Sequence, residues 1–262
     1  MEERHSEIIS LLQQQTMLGI QELCDLLHVS PATVRRDLTK MEDLGLIKRM
    51  HGGAILHHSV DAGKPEPVRG GDPYLLQKLA IVEAACGMVQ PGDTIFIDAG
   101  STTELLAERL TSIQPISIIT NSIKIAYQMF AARGGGSSVF VCGGTFSESD
   151  PQASIVGPLA EQMISQFRAN ICFVGTSAID CKHGVTDPNL LIARMKEKMI
   201  SHSSKVVLIV DHSKFGKVKQ AFVCPLEHIH CVITDDLTTE EDVKHLRSLG
   251  VEVKVVNVGV EV

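Results

Sequence analysis

The hydrophobic and polar positions divide the chain into two parts with different patterns. In roughly the first sixty residues, apolar side chains recur at helical spacing in three short stretches, whereas in the rest short apolar runs alternate with amphipathic stretches. Between the two parts, residues 61–72 carry two prolines and no apolar period, which is typical of a linker. We therefore predict a domain over residues 1–58, a linker over 59–73 and a second domain over 74–262.

The first part has the pattern of a winged helix-turn-helix. Its third helical stretch begins at Ser30-Pro31, where the serine hydroxyl can cap the helix and proline suits the first helical position. The connection from the second helix, residues 27–30, has the length of a helix-turn-helix corner. Two short stretches, at 46–49 and 54–56, flank a Gly-Gly turn and predict a β-ribbon wing.

The third helix and the wing carry the candidate DNA contacts. Val34, Leu38 and Met41 fix the buried side of the helix, so its two arginines project outward, as in a helix that enters a major groove. An ordinary solvated helix is the alternative, because residues 31–57 hold five Lys or Arg but also three acids. The cap, the corner, the arginine pair and the basic wing together favour DNA binding. The predicted contacts are Ser30, Thr33, Arg35, Arg36, Lys40, Lys48, Arg49 and His51.

The second part alternates strands and helices. The predicted strands are 94–97, 117–119, 139–141, 171–174, 206–210, 230–233 and 251–256. The predicted helices are 74–89, 102–110, 123–132, 156–167, 189–202 and 239–249. This alternation predicts an α/β domain with a mostly parallel sheet that helices cover on both faces.

Small, hydroxylated and glycine residues follow five of the predicted strands. Ligands of open parallel sheets bind at the carboxyl ends of the strands, and the 100–103 turn opens a helix whose N–H groups can hold a phosphate. A plain N-cap is the alternative for this turn alone, but five such loops favour a ligand site. Lys214 could add a cation, and Asp98 and Asp211 could accept hydrogen bonds from sugar hydroxyls or fix their loops. The predicted effector contacts are Asp98, Gly100, Ser101, Thr102, Thr103, Thr120, Asn121, Gly143, Gly144, Gly175, Thr176, Asp211 and Lys214.

Composition narrows the classes of function. A net charge of −7 argues against coating nucleic acid through bulk charge, and the absence of Trp with only two Tyr argues against a base-stacking surface. The seven cysteines are scattered, and no apolar run approaches the roughly 18 residues of a membrane span, so we expect reduced thiols and a cytoplasmic protein. Nucleotide-binding glycine motifs are absent, and the histidines at 57, 58, 228 and 230 lack partner ligands, so we expect no cofactor and no metal.

The sequence resembles bacterial DeoR-type transcriptional regulators over nearly its whole length. The matching motifs, in order, are Val29–Leu38, His51–Ala54, Asp98–Thr103, Thr120–Ser122, Gly143-Gly144 and Asp211–Gly216. The resemblance implies a regulator of sugar metabolism, usually a repressor, with a winged helix-turn-helix and an effector domain similar to ribose-5-phosphate isomerase. It implies phosphorylated sugars or sugar derivatives as inducers. It also implies an effector contact at Lys196, although residues 191–195 here lack the acids that family members commonly carry before that lysine.

We therefore expect a repressor that binds double-stranded operator DNA as a homo-oligomer, a dimer or tetramer, and releases it when a phosphorylated sugar binds. The alternative is a sugar-phosphate isomerase-like enzyme with a DNA-binding domain. Related isomerases use an acid-rich loop for proton transfer, whereas Asp180 stands alone here, which favours binding without turnover and no catalytic residues. A third possibility is an oligomerisation module without a ligand.

Overall fold

A computed structural model of the protein describes residues 2–14, 18–43, 46–50, 53–56, 72–147 and 150–258. The chain divides into two compact units, and the second comprises Tyr74–Val258. Of the predicted linker, all but Asp72 and Pro73 lies outside the described residues, and so does His51 of the predicted wing. No helix in these described ranges combines the length and the apolar character that a membrane crossing needs.

The first unit is a winged helix-turn-helix. Its helices are α1 (Glu2–Gln14), α2 (Ile20–Leu27) and α3 (Pro31–Asp43), and its strands are β1 (Leu18–Gly19), β2 (Ile47–Met50) and β3 (Gly53–Leu56). The three strands pair antiparallel in the order β1-β3-β2, and β2 with β3 forms the predicted wing. Strand β1 was not predicted, because two residues are too few to show an alternating pattern.

Helix α3 begins where the sequence predicts. The hydroxyl of Ser30 accepts the backbone N–H of Thr33 at 3.3 Å, which satisfies one of the N–H groups that a helix start leaves unpaired. The predicted apolar stripe of Val34, Leu38 and Met41 is completely buried. The opposite face of α3 is thereby fixed toward solvent.

Seven strands form the main sheet of the second unit. They are β4 (Thr94–Ile97), β5 (Ser117–Thr120), β6 (Ser138–Val141), β9 (Ala169–Val174), β12 (Ser203–Ile209), β14 (Cys231–Asp235) and β15 (Glu252–Val256). Their order is β15-β14-β12-β9-β4-β5-β6, and all six pairings are parallel. Each overlaps a predicted strand, so the predicted α/β architecture is confirmed.

Helices cover both faces of this sheet. They are α4 (Leu75–Cys86), α5 (Ser101–Leu110), α6 (Ile123–Ala132), α7 (Pro158–Ile164), α8 (Leu190–Ser201) and α9 (Glu240–Ser248). Successive residues of β4 belong to different cores: Ile95 and Ile97 pack in one buried apolar cluster and Phe96 in the other. Because side chains alternate along a strand, these clusters lie on opposite faces of the sheet.

Two smaller sheets were not predicted. One pairs β7 (Thr145–Phe146) with β8 (Ile155–Val156), and the other joins β10 (Ala178–Asp180), β11 (Gly184–Asp187) and β13 (Ala221–Cys224). Gly184 has a φ of +72°, and a Cβ there would lie 2.5 Å from the carbonyl oxygen of Cys224, so β11 requires glycine at its start. The three-stranded sheet matters for function because β11 ends at Asp187, beside the main sheet's carboxyl edge.

Candidate functional site

A cavity of about 810 Å³ opens at the carboxyl ends of three adjacent strands, β4, β9 and β12. The loops after these strands line it with residues 100–103, residues 175–177, and Asp211 with Lys214. They are three of the five predicted loops, and they converge because their strands are neighbours in the middle of the sheet. Other segments complete the wall: Lys78, residues 150–152, 187–190, Ile192, Lys196, Lys217, Lys219 and Gln220.

The N-terminus of α5 lies in this wall without a side-chain cap. The N-cap residue is Gly100, which has no side chain to offer, so the first-turn N–H groups keep the partial positive charge of a helix start. Ser101 and Thr102 place hydroxyls beside these groups. The hydroxyl of Thr103 instead donates to the carbonyl of Gly100 at 2.8 Å and shapes the turn. This end of the cavity suits an anion such as a phosphate.

Lys78 of α4 adds a cation at the same end. Its Nζ donates to the hydroxyl of Ser101 at 2.8 Å, and the residue is 6% exposed. An ammonium group beside the N-terminus of a helix suits a bound anion, because both attract negative charge. The lining residues include five lysines against three aspartates. The described part of the cavity wall therefore carries a net positive charge, although the whole chain is acidic.

Lys196 of α8 is held by two buried carboxylates. Its Nζ lies 2.8 Å from Oδ2 of Asp187 and 3.4 Å from Oδ2 of Asp98, and it donates to the carbonyl of Gly175 at 3.0 Å. All three charged side chains are buried. Buried charges are tolerated when they are paired in this way. Lys196 thus lines the cavity as predicted, and its position is fixed from within the protein.

The carboxyl of Asp98 in this cluster has a raised pKa. Burial raises the pKa of Asp98 to about 6; the charge of Lys196 opposes this rise, and that of Asp187 adds to it. Burial alone would lower the pKa of Lys196, but the two carboxylates outweigh it and raise that pKa. Oδ2 of Asp98 is paired with Lys196, and Asp98, although a predicted effector contact, is completely buried and is not among the residues that line the cavity.

Asp211 combines the two roles that the sequence left open. Its Oδ1 accepts the N–H of Ser213 at 3.0 Å and starts the 3-10 helix His212–Lys214. Its Oδ2 is buried and has no hydrogen-bond partner in the part of the chain that the structure describes. One oxygen fixes the loop, and the other is available to a ligand hydroxyl.

Thr120 and Asn121, two predicted contacts, lie outside the cavity wall. Both are completely buried. The Oδ1 of Asn121 accepts the N–H of Ala99 at 2.9 Å, and its Nδ2 donates to the carbonyl of Ile155 at 3.3 Å. Asn121 therefore holds the loop after β4 in place, and we do not propose either residue as a ligand contact.

Gly143 and Gly144 also lie outside the cavity wall. They follow β6, the edge strand, which is separated from β4 by β5. A Cβ on Gly144 would come within 2.6 Å of the carbonyl oxygen of Val156, so a close approach of backbones requires this glycine. Gly175 and Thr176 do line the cavity, but the hydroxyl of Thr176 donates internally, to the carbonyl of Thr186 at 3.0 Å.

Asp180, the carboxylate considered for proton transfer, is not among the residues that line the cavity. Its Oδ1 accepts the N–H groups of Lys182 and His183, both at 2.9 Å, and contacts Nδ1 of His183 at 2.7 Å. The hydrogen bonds from His183 and Lys182 lower the pKa of Asp180. This residue shapes the turn between β10 and β11.

Within the described residues, no three His, Cys, Asp or Glu side chains gather as a metal site would require.

The exposed face of α3 carries the predicted base contacts Arg35, Arg36 and Lys40. Of the three acids of α3, Asp37 does not compete with them, because it is buried and accepts from Nε of Arg4 on α1 at 2.6 Å. Burial raises the pKa of Asp37, but the hydrogen bond and charge of Arg4 outweigh it, so the net shift is downward. The face that α3 presents to solvent is thus basic.

Two further predicted contacts take part in internal hydrogen bonds. The hydroxyls of Ser30 and Thr33 lie 2.9 Å apart as part of the cap of α3. Arg49 of β2 donates from its backbone N–H to Glu42 and from Nη1 to the hydroxyl of Thr39, both at 2.9 Å. These bonds tie the wing strand to α3 and place a guanidinium beside its exposed face. The side chain of Lys48 and all of His51 lie outside the described residues.

The sequence did not reveal Lys78, Asp187, Lys217 and Lys219 as residues of the site. Lys78 lies within a predicted helix with no motif around it, and Asp187 ends a strand that was not predicted. Lys217 and Lys219 lie just before β13, another unpredicted strand. The sequence does show a cluster of three lysines in residues 214–219. It does not show that this cluster lies at the cavity, because the small antiparallel sheet places it there.

Two protein families match the chain. Residues 4–60 match the DeoR-like helix-turn-helix domain, and residues 75–236 match the DeoR C terminal sensor domain. The transcriptional repressor AccR of Agrobacterium fabrum is 33% identical, over 90% of each chain. The glycerol-3-phosphate regulon repressor of Haemophilus influenzae is 31% identical, over 89% of each chain. A ribose 5-phosphate isomerase of Methanocaldococcus jannaschii matches 53% of each chain with 14% identity and a TM-score of 0.38, a likeness too weak to carry an argument.

Proposed function

The chain belongs to the DeoR family of transcriptional regulators, and from this premise we propose that it represses a carbohydrate-utilisation operon until a phosphorylated sugar binds in the cavity. It is a DNA-binding regulator with a sensor domain. Two relatives are named as repressors, and one of them as the repressor of a glycerol-3-phosphate regulon. The cavity of this chain likewise favours a phosphorylated ligand.

The DNA-binding half of the proposal is supported by the basic face of α3. Arg35 and Arg36 would enter the major groove and contact bases or phosphates, while Lys48 and Arg49 would hold the DNA backbone. The hydrogen bonds of Arg49 to α3 support this, because they join the wing and the helix into one surface. The burial of Asp37 leaves that surface without a projecting acid at its centre.

The observation that carries the effector half is the uncapped N-terminus of α5 with Lys78 beside it. A phosphate there would receive N–H groups of the first turn, the hydroxyls of Ser101 and Thr102, and the charge of Lys78. Lys214 lines the same cavity and would add a second cation. Ligand hydroxyls would donate to Asp211 Oδ2, which is buried and without a partner in the described structure.

Binding would act on DNA through a difference in affinity. If the effector binds more tightly to the conformations that bind the operator weakly, it lowers the operator affinity, and the operator lowers the effector affinity by the same factor.

We propose binding without turnover, because Asp98 and Asp187 are both engaged with Lys196. Incubation with ribose 5-phosphate should give no ribulose 5-phosphate; measurable formation would favour the isomerase-like alternative.

We further propose that the chain acts as a homo-oligomer. Helix α6 carries Ile123, Tyr127 and Phe130 on one stripe, at 49%, 71% and 53% exposure, next to edge strand β6. An exposed apolar stripe of this kind is typical of an interface, and a symmetric dimer matches a palindromic operator. In sedimentation, Tyr127→Asp should dissociate the oligomer, and an unchanged mass would exclude this interface.

A ligand screen tests the proposed function. Full-length protein is heated with a panel of sugar phosphates and with the same sugars lacking the phosphate, and the melting temperature is measured. At least one phosphorylated sugar should stabilise the wild type, and its unphosphorylated form should not. Lys78→Met should lose this stabilisation. Lys244→Met, at an exposed position of α9 outside the cavity wall, is the matched control and should keep it.

A further inference from the structure

We propose that the effector carries a methyl group, as a 6-deoxy sugar phosphate or an N-acetylated sugar phosphate does, and that Leu190 and Ile192 of α8 receive it. The inference rests on the proposed function, in which the cavity binds a phosphorylated sugar, and it adds the chemical class of that sugar. It depends on a difference between α5 and α8, the two helices whose N-termini line the cavity.

Helix α8, unlike α5, begins with a side-chain cap. Oδ1 of Asn189 accepts the N–H groups of Leu191 at 2.8 Å and Ile192 at 3.3 Å, and Nδ2 of Asn189 donates to the hydroxyl of Ser147 at 3.1 Å. The cap therefore satisfies N–H groups that would otherwise attract an anion. An anionic group is directed to the α5 end, and the α8 end is left for another part of the ligand.

The side chains that the α8 end presents are apolar. Leu190 and Ile192 both line the cavity, together with Pro188 just before the helix and Pro151. Leu190 is 60% exposed, whereas Ile192 is 7% exposed and packs into the main apolar core, which fixes the wall behind it. A ligand hydroxyl against Leu190 and Ile192 would gain no hydrogen bond from these two side chains, whereas a methyl group would gain apolar burial.

The rest of the cavity wall is polar and therefore favours a sugar over a wholly apolar ligand. Asp211 offers a buried oxygen without a partner among the described residues, and Lys214 and Lys219 also line the wall. The volume of about 810 Å³ lies within the range that holds a compact small molecule with an extra substituent. The cavity thus has a phosphate end, a region for hydroxyls and an apolar wall.

Calorimetric titration of the full-length protein with matched ligand pairs tests this inference. One pair is fructose 1-phosphate and its 6-deoxy analogue; the other is glucose 6-phosphate and N-acetylglucosamine 6-phosphate, so the two pairs distinguish a deoxy methyl from an acetyl methyl. In at least one pair we expect the methyl-bearing member to bind the wild type about tenfold more tightly. Leu190→Asn should reduce this ratio to near one. Leu159→Asn, at a 70% exposed position on α7 outside the cavity wall, should leave it unchanged.

The outcomes separate this inference from the proposed function. If both members of each pair bind equally, or the hydroxylated members bind more tightly, the apolar wall does not select the ligand, while phosphate binding stands. The same conclusion follows if Leu190→Asn leaves the ratio at its wild-type value. If no sugar phosphate in these pairs or in the wider thermal panel binds, the proposed function fails and this inference fails with it.

Discussion

Replacing Asp98 by Asn tests whether a titrating carboxyl is buried beside Lys196. Asp98 is completely buried, and burial raises the pKa of its carboxyl to about 6, against an ordinary value of 3.8. A carboxyl with a raised pKa in the folded state stabilises the protein fully below pH 3.8. That contribution is lost as the pH rises through about 6. At about 1.4 kcal/mol for each pH unit between the two pKa values, the complete loss is about 3 kcal/mol.

The assay is urea unfolding of the full-length wild type and Asp98→Asn at pH 4, 6 and 8, followed by circular dichroism. Since asparagine does not titrate, the free energy of unfolding of the variant minus that of the wild type should increase by about 2 kcal/mol from pH 4 to pH 8, because part of the loss has already occurred at pH 4. Titrating groups that do not interact with Asp98 cancel in this difference. Asp236→Asn, at an exposed position, is the control for the loss of one carboxylate. A difference that is the same at pH 4 and pH 8 would refute the reasoning.

Three further variants test other parts of the molecule. Gly144→Ala should lower the free energy of unfolding by about 1–3 kcal/mol, because its Cβ would meet the carbonyl oxygen of Val156; wild-type stability in urea would exclude this close approach. Arg36→Ala should weaken operator binding about tenfold or more in gel-shift titrations and keep the circular dichroism spectrum; unchanged affinity would remove it from the interface. Asp37→Asn should destabilise the protein by about 1–3 kcal/mol at pH 7, because it loses the charged bond to Arg4. The lowered pKa of Asp37 means that this deficit should shrink below about pH 4, and a deficit that grows there would contradict the pairing.

The elements of the fold were predictable where the sequence pattern is long. The strand 94–97 was predicted to the residue, and α6 was predicted at 123–132. The strand is marked by its consecutive apolar positions, and the start of α6 is marked by its cap residue Ser122. The pairs β7 with β8 and β10 with β11 were missed, because strands of two to four residues are set by their tertiary partners and leave little periodic signal.

The site was predictable only in part, because small polar residues serve packing and binding equally well. Residues 100–103 of the loop after β4, Lys196 and Lys214 line the cavity, whereas Asp98 does not, and their contact with an effector stays a prediction. Asn121 has the same kind of position in the sequence, but its amide is consumed by backbone groups inside the protein. Lys78 reaches the site from a helix whose sequence shows no motif, so its role depends on helix packing that periodicity cannot supply.

The central claim is that one sugar phosphate occupies the cavity and thereby releases DNA. The most direct measurement is a fluorescence anisotropy titration of a labelled duplex, selected from random DNA by the wild-type protein, with and without the sugar phosphate that stabilises the protein most. We expect that ligand to raise the dissociation constant of the wild type for the duplex at least about tenfold, a coupling of about 1.4 kcal/mol. Lys78→Met should bind the free duplex normally and fail to release it. A wild-type protein that binds sugar phosphates yet holds the duplex equally tightly with and without them would contradict the claim.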